Sequence, residues 1–354
     1  MLLFVLAVSG GLASRQIPKR RALPNTMTIS KIAAFAVFVA LFSVGAFADN
    51  PVPPQGRLTL TSNTPVMTGD VVGASTVYYT PYQGSLVPIY GGTAWTNYQF
   101  GQLTLTLNSL VQTAGTVYDV FVFLNSGTPT LGINASPWPS SSSRGTLGAA
   151  ISTLNGIWVN TRGWEGSYFF LYNGGTEYTS IEPNQATYLG SIYITANGET
   201  SMQFKPASAT GGSNSVLGLY NAYNRVPVSS RSVDSTLDWT DTSNAWRAAD
   251  NNDNNRITYL DGLQQSFVFA DYWASASETS GTTAAVGILE DATTGNPPGL
   301  TPSLTGLPFL SFEAKDNFTP LLGLHYLQAV EYSSGSTSTF YGIGEMLLQI
   351  TLEM

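Results

Sequence analysis

The chain has 354 residues, enough for one large or two ordinary domains, and only 10% of them are charged. It contains no cysteine, which excludes disulfides and thiolate zinc sites, and a single histidine, His325, which excludes a three-histidine metal site and leaves one candidate base for a Ser/His/Asp triad. Five of the fourteen basic residues precede Asp49, the first acidic one. From there on nine basic residues face all 22 acidic ones, a balance of −13 that argues against any DNA or RNA partner.

The N-terminal text contains two apolar runs. In MLLFVLAVSGGLASRQIPKRR the apolar run comes before the basic cluster, the reverse of a signal peptide, so residues 1–26 read as an extension from a start placed too early. From Met27 the order is correct: Lys31, an apolar run from Ile32 to Val44, then Ala46-Phe47-Ala48 before Asp49. Residues 27–48 are therefore expected to be a cleaved secretory signal peptide. The run falls short of the roughly 20 residues that span a bilayer, so the mature chain is expected to be exported without stable membrane insertion, to the periplasm, the medium or a surface.

Beyond Asp49 the polar/apolar alternation has a period of two, the mark of half-buried antiparallel strands. It is clear in RLTLTS (57–62), QLTLTLNSL (102–110) and TVYDVFVFL (116–124), and recurs at 187–195, 266–272, 284–289, 325–332 and 345–352. Turn clusters such as SSSSRGT, ANGET and TTGNPPG separate these runs. Only DTSNAWRAAD (241–250) has room for a turn or two of helix. The pattern predicts an all-β fold, an antiparallel β-sandwich or jelly-roll-like arrangement in one or two domains. The Gly/Ser-rich stretch Ala207–Ser215 suggests a division into 49–206 and 207–354.

The stretch AADNNDNNRITYLDG offers the one metal candidate. With Asp250 at the first position of a calcium loop, Asn252, Asn254 and Asp261 fall at the third, fifth and twelfth. Against this, RITYL reads as a strand, and Asp at the twelfth position is shorter than the usual bidentate Glu. A polar turn, in which Asn and Asp satisfy the backbone, is the favoured reading, and no cofactor is expected.

Catalytic chemistry has few carriers. The G-x-S-x-G nucleophile elbow is absent. Glu165, Glu177, Glu182, Glu199, Asp234 and Asp238 could supply the paired carboxylates of a glycosidase, but no spacing selects a pair. Trp158 and Trp273 stand in strand-like text and are expected in the core; Trp138 in SPWPS and Trp164 in RGWEG stand in loops and are the candidates for ligand binding. His325, in an apolar strand, is expected to be a hydrogen-bonded structural residue.

The text from GRLTLTSNTPVMTGDVVGASTVYYTPYQGSLVPIY through VYDVFVFLNSGTPTLG and ATYLGSIYITANGETSMQFKP to DWTDTSNAWRAADNNDNNRITYLDGLQQSFV resembles uncharacterised virion structural, tail-fibre-associated proteins of tailed bacteriophages and prophages. The resemblance covers most of Gln55–Tyr272. It implies a non-enzymatic structural or adhesion protein, in a virion or exported to a surface, that self-associates (a trimer being one form), joins other virion proteins or binds surface glycans. A tailspike-like glycoside hydrolase and a secreted carbohydrate-binding module are the alternatives.

Overall fold

Two-residue turns set the first registers. Ser126-Gly127 and Asn155-Gly156 both carry positive φ at each position, the conformation of type I′ hairpins, and each joins two directly paired strands. A computed structural model describes residues 50–354 apart from 147, 166–168, 279, 280, 300, 307 and 308. The expected extension 1–26 and the expected signal peptide 27–48, with cleavage after Ala48, lie outside the described residues.

The described strands begin with β1 (Gly56–Thr59), β2 (Val71–Ala74), β3 (Thr76–Pro81), β4 (Leu86–Tyr90), β5 (Trp95–Gln99), β6 (Leu103–Thr106), β7 (Val117–Asn125) and β8 (Thr128–Asn134). There follow β9 (Ile151–Leu154), β10 (Ile157–Asn160), β11 (Leu171–Asn173), β12 (Thr176–Tyr178), β13 (Thr187–Tyr193), β14 (Thr200–Met202), β15 (Ser215–Leu217), β16 (Leu219–Asn221) and β17 (Pro227–Ser232). The rest are β18 (Asp238–Asp241), β19 (Arg247–Ala248), β20 (Arg256–Asp261), β21 (Val268–Glu278), β22 (Thr283–Glu290), β23 (Ser303–Thr305), β24 (Leu310–Phe318), β25 (Gly323–Ser333), β26 (Ser338–Tyr341) and β27 (Leu347–Glu353). The protein is all-β, as the alternation predicts. Instead of the helical turn considered for 241–250 there is β19 followed by a single 3₁₀ turn, Ala249–Asn251.

Two layered pairs of sheets result. In the first, the three-stranded sheet β1-β3-β6 places Leu58, Val77, Tyr79 and Leu105 against Val120, Val122, Ile133 and Ile192 of an eight-stranded sheet, order β12-β11-β8-β7-β13-β10-β9 with β16 on β13. In the second, an eight-stranded sheet, order β2-β14-β15-β20-β25-β22-β23 with β19 on β25, faces the six-stranded sheet β17-β27-β21-β26-β18 with β24 on β21. Between these last two lie Ile257, Val286, Ile288 and Leu327 on one side and Ala270, Tyr272, Leu348 and Ile350 on the other. β27 occupies an interior position, paired with β17 on one side and β21 on the other. β4 and β5 form a separate hairpin.

The expected division at residue 207 is not a break in packing. Ala48–Met354 is one unit. β14, before that boundary, pairs with β15, after it, and β2 extends the same sheet. Arg57 on β1 donates to the carbonyls of Asn224 and Met354. The Gly/Ser-rich text is a surface connection within one packed unit, exposed at 207–210, and its Gly211 and Gly212 take positive φ at the turn.

Candidate binding surface

The calcium-loop candidates separate. Asp250 accepts from the Thr236 hydroxyl, and the Asn252 side chain accepts the Asn254 N–H, so the loop caps itself. Asp261 lies at the far end of the six-residue β20, roughly 16 Å along the chain from Arg256 at 3.3 Å per residue. There its carboxylate is fully buried and accepts the N–H groups of Leu263, Gln265 and Ser266. The twelfth-position ligand is thus spent on a different turn. Among the described residues no three His, Asp or Glu side chains are grouped as metal ligands would be.

The tryptophans also depart from expectation. Trp138, a loop candidate for binding, is only 3% exposed, because its loop folds back onto the second face of the first eight-stranded sheet. The Arg144 guanidinium lies 4.2 Å from its ring centre. Arg144 forks onto the buried Asp119 through Nε (2.8 Å) and Nη2 (3.1 Å), and Nη2 also donates to Tyr188 and Ser191. A register shift between Tyr188 and Gly190 brings both Tyr188 and Ser191 onto this face. Gly190 is needed there, since a Cβ would strike the Tyr220 carbonyl of the neighbouring strand. An open depression of about 400 Å³ lies over Arg144, lined by Pro137, Pro139 and Thr146, but its one cation is already committed to Asp119.

Trp164, the other loop candidate, is 38% exposed and meets Phe170 edge-on, which in turn meets Tyr172. The two loop tryptophans therefore do not form a joint site. Trp158 is half-buried. Trp273, expected in the core, is 38% exposed on the outer face of the six-stranded sheet.

The carboxylates considered for catalysis are scattered. Asp234 is buried and accepts from the Gly211 and Thr236 N–H groups and from Asn255; Glu177 accepts from Tyr172; Glu165 and Asp238 are exposed. His325 is hydrogen-bonded, with Nδ1 2.6 Å from Asp291 and Nε2 3.2 Å from the Leu322 carbonyl. Burial opposes its charge, but Asp291, the Leu322 carbonyl and Glu290 outweigh burial and raise its pKa. Both nitrogens face acceptors, which favours the protonated ring, and among the described residues no hydroxyl is hydrogen-bonded to it. The nearby Tyr259 hydroxyl donates to Glu290.

A second buried charge lies between the sheets of the second layered pair. Glu331 on β25 is fully buried, 2.7 Å from Arg247 and accepting the Trp239 indole N–H at 2.7 Å. Burial raises its pKa to about 7, against the pull of Arg247. Two neighbouring groups are left over: the Asp241 Oδ2 and the Tyr272 hydroxyl are buried without hydrogen-bond partners.

The outer face of the six-stranded sheet has a different composition. Alternation along β21 points Ala270, Tyr272 and Ala274 inward and leaves Phe269, Asp271 and Trp273 outward, with Phe269 56% exposed. The two rings are roughly 13 Å apart along the strand at 3.3 Å per residue. Between them Lys315 on β24 reaches Glu313 at 2.9 Å and Asp271 at 3.5 Å. Ser311, Gln349, Ser229 and Thr351 share the face by register, Ser275 beneath Ser311 being buried, and exposed Phe309 packs on Tyr341 beside it. The signal for this face was present in the sequence: Asp271 shares its parity with Phe269 and Trp273, and a charge in a strand marks the solvent side.

No family model matches the chain, and no curated protein matches it. Among solved structures, the insecticidal delta-endotoxin Cry8Ea1 from Bacillus thuringiensis aligns with 84% of this chain and 51% of its own, at 9% identity and a TM-score of 0.21. A Bacillus thuringiensis Cry1Da tryptic core variant aligns with 79% of this chain and 48% of its own, at 9% identity and 0.16. The structure of infectious bursal disease virus Gx strain aligns with 86% and 78%, at 10% identity and 0.24. The chain spans about half the length of the two Bacillus proteins. Likeness at these scores carries no argument about what this chain does.

Proposed function

We propose that the protein is a non-catalytic adhesion protein, exported or carried on a virion, whose outer six-stranded sheet face binds a neutral surface polysaccharide. The observation that carries this reading is the alternation of Phe269, Asp271 and Trp273 on a face whose reverse side is saturated core. Exposed rings stack on the apolar faces of sugar rings, and the intervening Lys315, Glu313 and Gln349 offer donors and acceptors to sugar hydroxyls. The acidic balance of the chain disfavours anionic polymers, which selects neutral glycans. The resemblance of Gln55–Tyr272 to tailed-phage virion proteins supports a role at a surface.

The test is retention of the purified chain on immobilised bacterial polysaccharides, with reducing ends followed in parallel. Retention without new reducing ends is expected. Substituting Phe269→Ala and Trp273→Ala together should weaken retention about a hundredfold, at roughly 1–3 kcal/mol per lost large side chain. Steady release of reducing ends overturns the non-catalytic reading, and retention unchanged in the double variant overturns the choice of face.

A further inference from the structure

We propose that the outer edge of β24 pairs with the same edge of a second copy of this chain, antiparallel about a two-fold axis at Ala314. β24 has nine residues and pairs along its whole length with β21 on one side. Among the described residues, no backbone hydrogen bond reaches its other side. The other strands with a neighbour on one side only have six residues or fewer, and the longest of them, β17, begins with Pro227 and is tied outward by the Arg231 N–H to the Phe204 carbonyl. Short, proline-bearing or covered edges are how sheet proteins prevent unwanted pairing. Among the described residues β24 is the longest strand with one side free of backbone hydrogen bonds, and the loop at Gly299 approaches it at the Asp316 side chain.

The sequence of that edge is complementary to itself. Ser311, Glu313, Lys315 and Asn317 share the outer face, and Phe312, Ala314, Asp316 and Phe318 the inner one. Antiparallel pairing centred on Ala314 puts Glu313 of each copy opposite Lys315 of the other, and Ser311 opposite Asn317. The next face-preserving register in one direction puts Glu313 opposite Glu313, and in the other Lys315 opposite Lys315. Like charges directly opposite are destabilising, and a shift by a single residue turns every inner side chain outward. One register is therefore singled out by its charges, and like any antiparallel pairing of an edge with itself it closes about a two-fold axis. Lys315, 58% exposed on the outer face of this edge strand, is bonded to Glu313 and Asp271, and pairing would bring the second copy's Glu313 directly opposite it. Pairing joins two six-stranded sheets into one continuous surface and sets two copies of the Phe269/Trp273 face side by side. The inference does not depend on what that face binds.

The test is the solution mass of the purified chain by sedimentation equilibrium, for the wild type, Lys315→Glu, Glu313→Lys and the double swap. The wild type should have twice the chain mass. Each single swap puts like charges opposite in both symmetric pairs and should raise the dissociation constant at least about tenfold, and the double swap should restore it. Because the chain has no cysteine, a mixture of Glu313→Cys and Lys315→Cys chains should form a disulfide-linked heterodimer on oxidation in preference to either homodimer. Circular dichroism of each variant separates loss of pairing from loss of fold. A monomer at all concentrations up to about 100 µM, a trimer, or a dimer indifferent to the swaps overturns the proposal.

Discussion

Two arginines are set against buried carboxylates in this molecule, and their surroundings differ. Arg144 meets Asp119 with a two-pronged grip, and Tyr188 and Ser191 take the remaining polar capacity. Arg247 meets Glu331 next to Asp241 and Tyr272, two groups with buried atoms that nothing satisfies. The first cluster covers one face of a sheet with loops and is closed; the second sits between two sheets and is crowded with acid. A saturated pair fixes structure, whereas an unsaturated one leaves a proton to be gained or lost.

Breaking the first cluster should have the larger effect. Arg144→Met leaves Asp119 charged and buried, and the expected loss is about 3–5 kcal/mol of unfolding free energy in guanidinium titrations. Replacing both partners, with Asp119→Leu added, should recover most of it, because no uncompensated charge remains. If the single variant unfolds at the wild-type midpoint, the pair is not the lock described here.

The second cluster is tested by pH. The folded carboxyl of Glu331 has its pKa raised from 4.5 to about 7, so the fold binds this proton more tightly than the unfolded chain does. Its contribution is complete below about pH 4.5 and lost as pH rises through about 7, on the order of 3 kcal/mol in all. His325, also raised, acts in the same direction, its stabilisation fading as pH rises above 6.5. Thermal midpoints should therefore fall between pH 5 and pH 8, and Glu331→Gln should flatten most of that slope. A midpoint that rises over this interval would contradict the assignment.

The smallest effect sharpens the comparison from outside both clusters. Asp250 has no arginine bonded to it and spends its carboxylate on Thr236. Excess calcium should leave the melting temperature unchanged, and Asp250→Ala should alter stability by about 1 kcal/mol or less. A rise of several degrees with calcium that the variant abolishes would restore the ion-site reading.

The all-β fold was legible because alternation is a local signal: all of TVYDVFVFL but its first residue lies in β7, its even residues Tyr118, Val120 and Val122 packing on one core and its odd residues Phe121 and Phe123 on another. Layering was not legible, since the same alternation fits one-sided burial. The turn at 250–255 was readable from its Asn and Asp residues. The fate of Asp261 was not, because the groups it caps lie beyond the strand that follows. Trp138 and Trp273 were misplaced for complementary reasons. A loop that folds under an arginine buries its aromatic, and a strand at the outside of a sandwich exposes every second one. The partner of His325 comes from the end of β22, 34 residues away, through an antiparallel register that no spacing announces.

The interior position of β27 bears on how the chain reaches this fold. β17 and β21 cannot be joined until residues 347–353 are available to lie between them, and β1 grips the Met354 carbonyl through Arg57 across a separation of 297 residues. Contacts so distant in sequence slow folding, because a long loop must close before any pairing rewards it. During synthesis the local hairpins can pair as they emerge, but β17 and the edge of β21 that β27 covers stay unpaired until residues 347–353 are available, an interval in which a holding chaperone has the most to bind.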